Sequence, residues 1–174
     1  GGIHGPVLTT LTAATAAPLF AWLMGTMDSL TLTGRAIAGG VGRGRLLPGN
    51  LCVATHLIGT DLMPIPAESP WILALEDVGE EPYRVDRMLT HWRLSGLLHR
   101  VAGVALGQFS GVSEERASPS RWLSLWGDRL GDLGIPVVCD LAFGHGEDNP
   151  PLALASPAML DGDRGCLQIW RHGD

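Results

Sequence analysis

The stretch Trp71-Ile72-Leu73-Ala74-Leu75-Glu76-Asp77-Val78-Gly79-Glu80 decides the fold. Its apolar residues run without a break from Trp71 to Leu75, between Pro70 and a set of carboxylates. Such a run predicts a strand over 71–75 buried on both faces. Strands of that kind occupy the middle of α/β sheets, which bind ligands at the carboxyl ends of their strands. Glu76 is therefore expected just past the end of a central strand. There an apolar wall can perturb proton affinity, and chemistry is usually placed.

The flanking sequence extends the pattern. Glu81-Pro82 predicts a helix start, because a first-turn proline loses no needed N–H. Val85, Met88, Leu89, Trp92 and Gly96 then recur at helical spacing, and Leu97 and Leu98 close the segment. Val101 to Phe109 predicts a second strand, with Gly103 and Gly107 permitting close approach. Residues 119–133 predict an amphipathic helix behind Ser118-Pro119, carried by Trp122, Leu123, Trp126, Leu130 and Leu133 and capped by Gly134. Val137-Val138-Cys139 predicts a short buried strand that leads into Phe143-Gly144-His145-Gly146. The middle of the chain thus reads strand–helix–strand–helix–strand, an α/β core.

Upstream, residues 6–25 predict a helix of small and apolar residues, Ser29 to Thr33 a short strand, and Asn50 to Leu57 a short helix. Gly34 to Gly49 is rich in glycine and arginine. It lacks the phosphate-loop and dinucleotide fingerprints, so its glycines are read as turn or bulge residues. Downstream, Ala158 to Leu160 and Cys166 to Ile169 flank Asp161-Gly162-Asp163 and predict a hairpin.

Composition limits the partners. The 174 residues suffice for one domain with a sizeable core, and 45% are hydrophobic. The net charge of −6 gives no electrostatic support for nucleic acid or an anionic membrane as partner. Cys52, Cys139 and Cys166 are too few and too scattered for a disulfide framework or a zinc site, and are read as free thiols in a reducing compartment. No charge occurs from Gly1 to Met27, yet a basic signal-peptide start is missing and threonines interrupt the apolar run. A buried helix entered through Gly5-Pro6 is expected there. The chain starts Gly-Gly, which suggests a longer polypeptide whose start is missing.

Two groups can do chemistry together: Glu76 after the first buried strand and His145 after the third. A carboxylate beside an imidazole fixes its tautomer and stabilises the imidazolium, as a general base for a hydroxyl nucleophile requires. Against this stand blander roles, a loop histidine and a helix-capping carboxylate. Asp77 and Glu80 are better placed than Glu76 to cap the following helix. His4 is a candidate to line a site, whereas His56, His91 and His99 read as packing or surface residues and His172 lies in a polar tail. His145, Glu147 and Asp148 lack any recognised metal-ligand spacing, so no metal and no cofactor is expected. No nucleophile is evident. Gly107-Gln108-Phe109-Ser110-Gly111 is not the nucleophile-elbow pattern, although Ser110 does follow a strand.

Leu73-Ala74-Leu75-Glu76-Asp77-Val78-Gly79-Glu80, followed by Pro82-Tyr83-Arg84-Val85-Asp86-Arg87-Met88-Leu89, resembles the signature of the LD-carboxypeptidases. These are serine peptidases of bacterial murein recycling, related to the microcin C self-immunity hydrolases. His4-Gly5-Pro6, Gly49-Asn50-Leu51, Gly59-Thr60, Gly107-Gln108-Phe109-Ser110 and Phe143-Gly144-His145 support the resemblance in order and spacing. It implies a Ser–Glu–His triad whose glutamate falls on Glu76 and whose histidine falls on His145. The implied reaction releases a C-terminal D-amino acid, typically D-alanine from a murein tetrapeptide, without a metal, in the cytoplasm and often in a homodimer. The family's serine lies in an N-terminal flavodoxin-like domain upstream of His-Gly-Pro. Residues 1–30 are accordingly read as the tail of that truncated domain. Residues 31–174 are read as an α/β C-terminal domain with a mixed sheet and flanking helices. The family's Gly-Gly-Asn appears here as Pro48-Gly49-Asn50. The alternatives are a microcin-type amide hydrolase and a non-catalytic domain that binds peptidoglycan fragments or a partner protein.

Overall fold

The computed structural model describes residues 3–4, 13–63, 65, 70–113, 115–146 and 149–172. A sheet of eight strands forms its frame, in the order Ser29–Thr33 (β2), Cys166–Trp170 (β10), Pro157–Asp161 (β9), Val41–Asn50 (β4), Trp71–Val78 (β5), Val101–Ser110 (β6), Val137–Cys139 (β7) and Arg35–Ala38 (β3). The central strands are β4 (Val41–Asn50), β5 (Trp71–Val78), β6 (Val101–Ser110) and β7 (Val137–Cys139), all mutually parallel. On one side follow the antiparallel strands β9 (Pro157–Asp161), β10 (Cys166–Trp170) and β2 (Ser29–Thr33). On the other, β3 (Arg35–Ala38) pairs antiparallel with β7. The sheet is therefore mixed, as expected. A separate pair joins β1 (Ile3–His4) to β8 (Leu152–Ala153).

The two edge strands, β2 and β3, are neighbours in sequence with Gly34 alone between them. Edges joined by a single residue cannot be far apart, so the sheet curls round on itself. A side chain at Gly34 would meet the Cys139 carbonyl oxygen at 2.2 Å, while its N–H donates to the Gly165 carbonyl at 2.8 Å. Curling brings inward-facing residues of both halves into one cluster that includes Leu46, Ile72, Ala74, Ala105, Leu160 and Leu167.

The outer face of the parallel strands is covered by helices. These are α2 (Leu51–Thr55), α3 (Pro82–Leu94) and α4 (Pro119–Leu130), with a 3-10 turn at Leu97–Arg100. Val85, Leu89 and Trp92 of α3 pack there with Leu73, Leu75, Val104 and Leu106. Helix α1 (Ala13–Met24) sends Trp22 into the inner cluster.

Three expectations are corrected by these elements. The stretch from Gly34 to Gly49 is largely strand, because β3 and β4 occupy most of it. Gly42 and Gly44 lie so close to the carbonyls of Ala102 and Pro70 that a Cβ would come within 2.0 and 2.4 Å of them. The third helix stops at Leu94, since Gly96 takes φ 78° and Leu97 and Leu98 belong to the 3-10 turn. Strand β5 runs on to Val78, so Glu76 lies within the strand and not beyond its end. The part of the N-terminal helix assigned to 6–12 lies outside the described residues.

Candidate active site

Strand alternation separates the two central carboxylates. Side chains along a strand point alternately to opposite faces. Ile72 and Ala74 face the inner cluster, and Leu73 and Leu75 face the helices. Glu76 continues the inner series and Asp77 the outer one. Both are buried, at 0% and 3% exposure, so each needs a polar partner to offset desolvation.

Asp77 finds its partners at α2. Its Oδ2 accepts the Cys52 backbone N–H and its Oδ1 accepts the Asn50 carboxamide, both at 2.9 Å. Asn50 is itself the N-cap residue and accepts the Val53 N–H at 3.0 Å. Asp77 thus serves the first turn of α2 and not the helix that follows β5. Glu80 lies 3.8 Å from Arg84, and Glu81 occupies the uncapped N-cap of α3 and pairs with Arg116 at 2.8 Å.

Glu76 meets His145. Its Oε2 lies 2.5 Å from the imidazole Nδ1 across 69 residues of sequence. The glutamate is wholly enclosed, whereas the histidine side chain is 45% exposed. The pair thus has an anchored end and an accessible end. With the Nδ1 proton donated to Glu76, the Nε2 lone pair is left to accept a proton.

The loop that carries His145 is tied to β6. The Leu141 N–H donates to the Leu106 carbonyl at 3.1 Å, and the Gln108 N–H donates to the Phe143 carbonyl at 2.9 Å. Gly144 takes φ 115°, and its N–H donates to Asn149 Oδ1 at 3.1 Å. A Cβ on Gly144 would stand 2.9 Å from the Glu76 Cβ. Only glycine lets the loop lie this close to the glutamate in that backbone conformation.

The other candidates lie elsewhere. His56 Nδ1 bonds the Cys52 carbonyl at 2.7 Å, His91 is on α3, and His99 is in the 3-10 turn. His4 pairs with Leu152 in β1, its side chain being outside the description. Ser110 ends β6 opposite Val78. Glu147 and Asp148 lie outside the described residues, and among those described no cluster of three or more histidine, cysteine or acidic groups could hold a metal. An apolar hollow of about 270 Å³ beside Leu47, Val53 and Leu57 opens on the helix side of the sheet, away from the pair. No described helix is long and apolar enough to cross a membrane.

Sequence reasoning missed Asn149, the tether of Gly144. It also missed the alternation that separates Glu76 from Asp77, although continuing the strand pattern past Leu75 would have revealed it.

An α/β domain with a buried carboxylate on a half-exposed imidazole is the class that fold and site define. Residues 43–160 match the family model described as the LD-carboxypeptidase C-terminal domain. The chain belongs to the LD-carboxypeptidase family, carrying this domain. A protein of Synechocystis sp., provisionally named a carboxypeptidase, is 52% identical over 172 residues, covering 96% of this chain and 56% of that protein. The crystal structure of a muramoyltetrapeptide carboxypeptidase from Oxalobacter formigenes superposes with a TM-score of 0.78 at 30% identity, covering 97% of this chain and 61% of that one. A microcin C7 self-immunity protein in complex with aspartyl sulfamoyl adenosine shares the fold, with a TM-score of 0.74 at 17% identity over 97% of this chain and 60% of that one. The chain spans a little over half the length of the Synechocystis relative.

Proposed function

We propose that this chain is the glutamate- and histidine-bearing part of a serine-type LD-carboxypeptidase. The reaction is hydrolysis of the amide before a C-terminal D-amino acid, with D-alanine of a murein tetrapeptide as the leaving residue. The observation that carries this reading is the 2.5 Å contact between enclosed Glu76 and accessible His145.

In this reading Glu76 holds the Nδ1 proton of His145. Nε2 takes the proton of a serine hydroxyl as the serine oxygen attacks the amide carbon. The resulting imidazolium, stabilised by Glu76, returns the proton to the leaving amine, and the C–N bond breaks. A water then attacks the acyl-serine with His145 again as base, and the serine recovers its proton. The serine belongs to a domain upstream of residue 31, and residues 31–174 form the C-terminal domain. The family resemblance further implies a cytoplasmic enzyme working as a homodimer. Kinship with a muramoyltetrapeptide carboxypeptidase supports a murein peptide as substrate. The microcin-type likeness, at 17% identity, supports the fold alone.

The test is D-alanine release from an L,D-tetrapeptide by the 174 residues, alone and with the upstream domain supplied in trans. Release only in the combined sample is expected. Turnover by the 174 residues alone contradicts the proposal.

A further inference from the structure

Beside Glu76 the pairing of β5 with β6 slips by one residue. Leu75 pairs with Leu106, but Asp77 pairs with Phe109. Glu76 therefore stands opposite two residues, Gly107 and Gln108. Such bulges recur next to active sites, where they re-aim a side chain. Leu106 and Phe109 both pack toward the helices. The pair between them contacts the His145 loop instead: Gly107 lies against Phe143 and the Gln108 side chain lies against Gly146. The carboxamide is close enough that a Cβ on Gly146 would fall 1.6 Å from its Oε1.

Gln108 is half-buried, and no hydrogen bond to its carboxamide occurs among the described residues. A carboxamide offers two N–H donors. The carboxamide lies against Gly146, the residue after the histidine that, on the function proposed above, protonates the leaving amine. In an amino-acid leaving group, one carbon separates that amine from the carboxylate. We infer that Gln108 is a specificity residue that donates an N–H to the terminal carboxylate of the peptide, so that the enzyme selects free-acid ends.

The complete enzyme, assayed on an L,D-tetrapeptide ending in D-alanine and on its C-terminal amide, tests this. Gln108→Met keeps the length of the side chain and removes the donors. It is expected to lower kcat/KM on the free acid by about tenfold, mainly through KM, with little change on the amide. Gln108→Glu sets a carboxylate against the substrate's own and is expected to weaken the free acid further. An unchanged acid-to-amide preference in either folded variant, or an equal loss on both substrates, overturns the inference, since bracing of Gly146 alone would affect both alike. If Gln108→Met does not fold, the Gln108→Glu comparison decides. A wild-type enzyme that cleaves neither peptide refutes the proposed function, and the role of Gln108 falls with it.

Discussion

At the scale of single residues, Gly144 and Cys139 show how little room the frame leaves. Gly144 combines a positive φ with contact against Glu76, so Gly144→Ala strains the backbone and pushes on the glutamate together. We expect a loss of about 1–3 kcal/mol in urea unfolding and a fall in turnover of the complete enzyme larger than that stability loss explains. Unchanged turnover would show that the loop need not approach so closely. Burial, and secondarily the neighbouring Asp140 carboxylate, push the Cys139 thiol up from 9.0 to about 12. The folded state keeps its proton where the unfolded chain has lost it. Its contribution to stability is therefore complete below about pH 9 and disappears as pH rises toward about 12. Urea unfolding of Cys139→Ala across that window should show a shallower alkaline decline than the wild type. An identical slope would remove Cys139 as a source of the pH dependence.

At the scale of elements, Asp77 links β5 and β4 to the first turn of α2. Losing its three acceptor contacts, to Asn50, Cys52 and Val78, should cost more than a surface cap. Asp77→Ala is expected to destabilise by about 2 kcal/mol or more, while folded molecules keep most of their activity. A large loss of activity without loss of stability would instead place Asp77 in the chemistry. The sequence made the helices and the inner strands legible because their apolar residues repeat at 3.6 or run unbroken. It made β10 and β9 legible through the Asp161-Gly162-Asp163 turn. It hid β4, whose Val41-Gly42-Arg43-Gly44-Arg45 has no apolar stripe, because neighbouring backbones take the place of side chains at its glycines. It hid β1 with β8, since two-residue strands carry no period. The Glu76–His145 pairing was readable as chemistry, but the close approach of the loop depends on Gly144, and the bulge beside Glu76 is visible only in the register.

At the scale of the whole molecule, curling of the sheet is what sets one inner face against itself. Gly34 bridges its two edges, and any side chain there collides with the Cys139 backbone. Gly34→Val should therefore lower the thermal midpoint by several degrees; an unaltered midpoint would mean that the closure is slack. Helices α2, α3 and α4 cover the outer face, so Asp77 is used up in architecture while Glu76, one residue earlier, remains directed at the His145 loop. The central claim is that Glu76 and His145 act together as the acid–base part of a serine carboxypeptidase. Its most direct test is kcat for D-alanine release by the complete enzyme bearing Glu76→Gln or His145→Ala, with the thermal midpoint measured alongside. Falls of about a thousandfold or more, with folding preserved, are the expected result. Near-normal turnover in either folded variant contradicts the account.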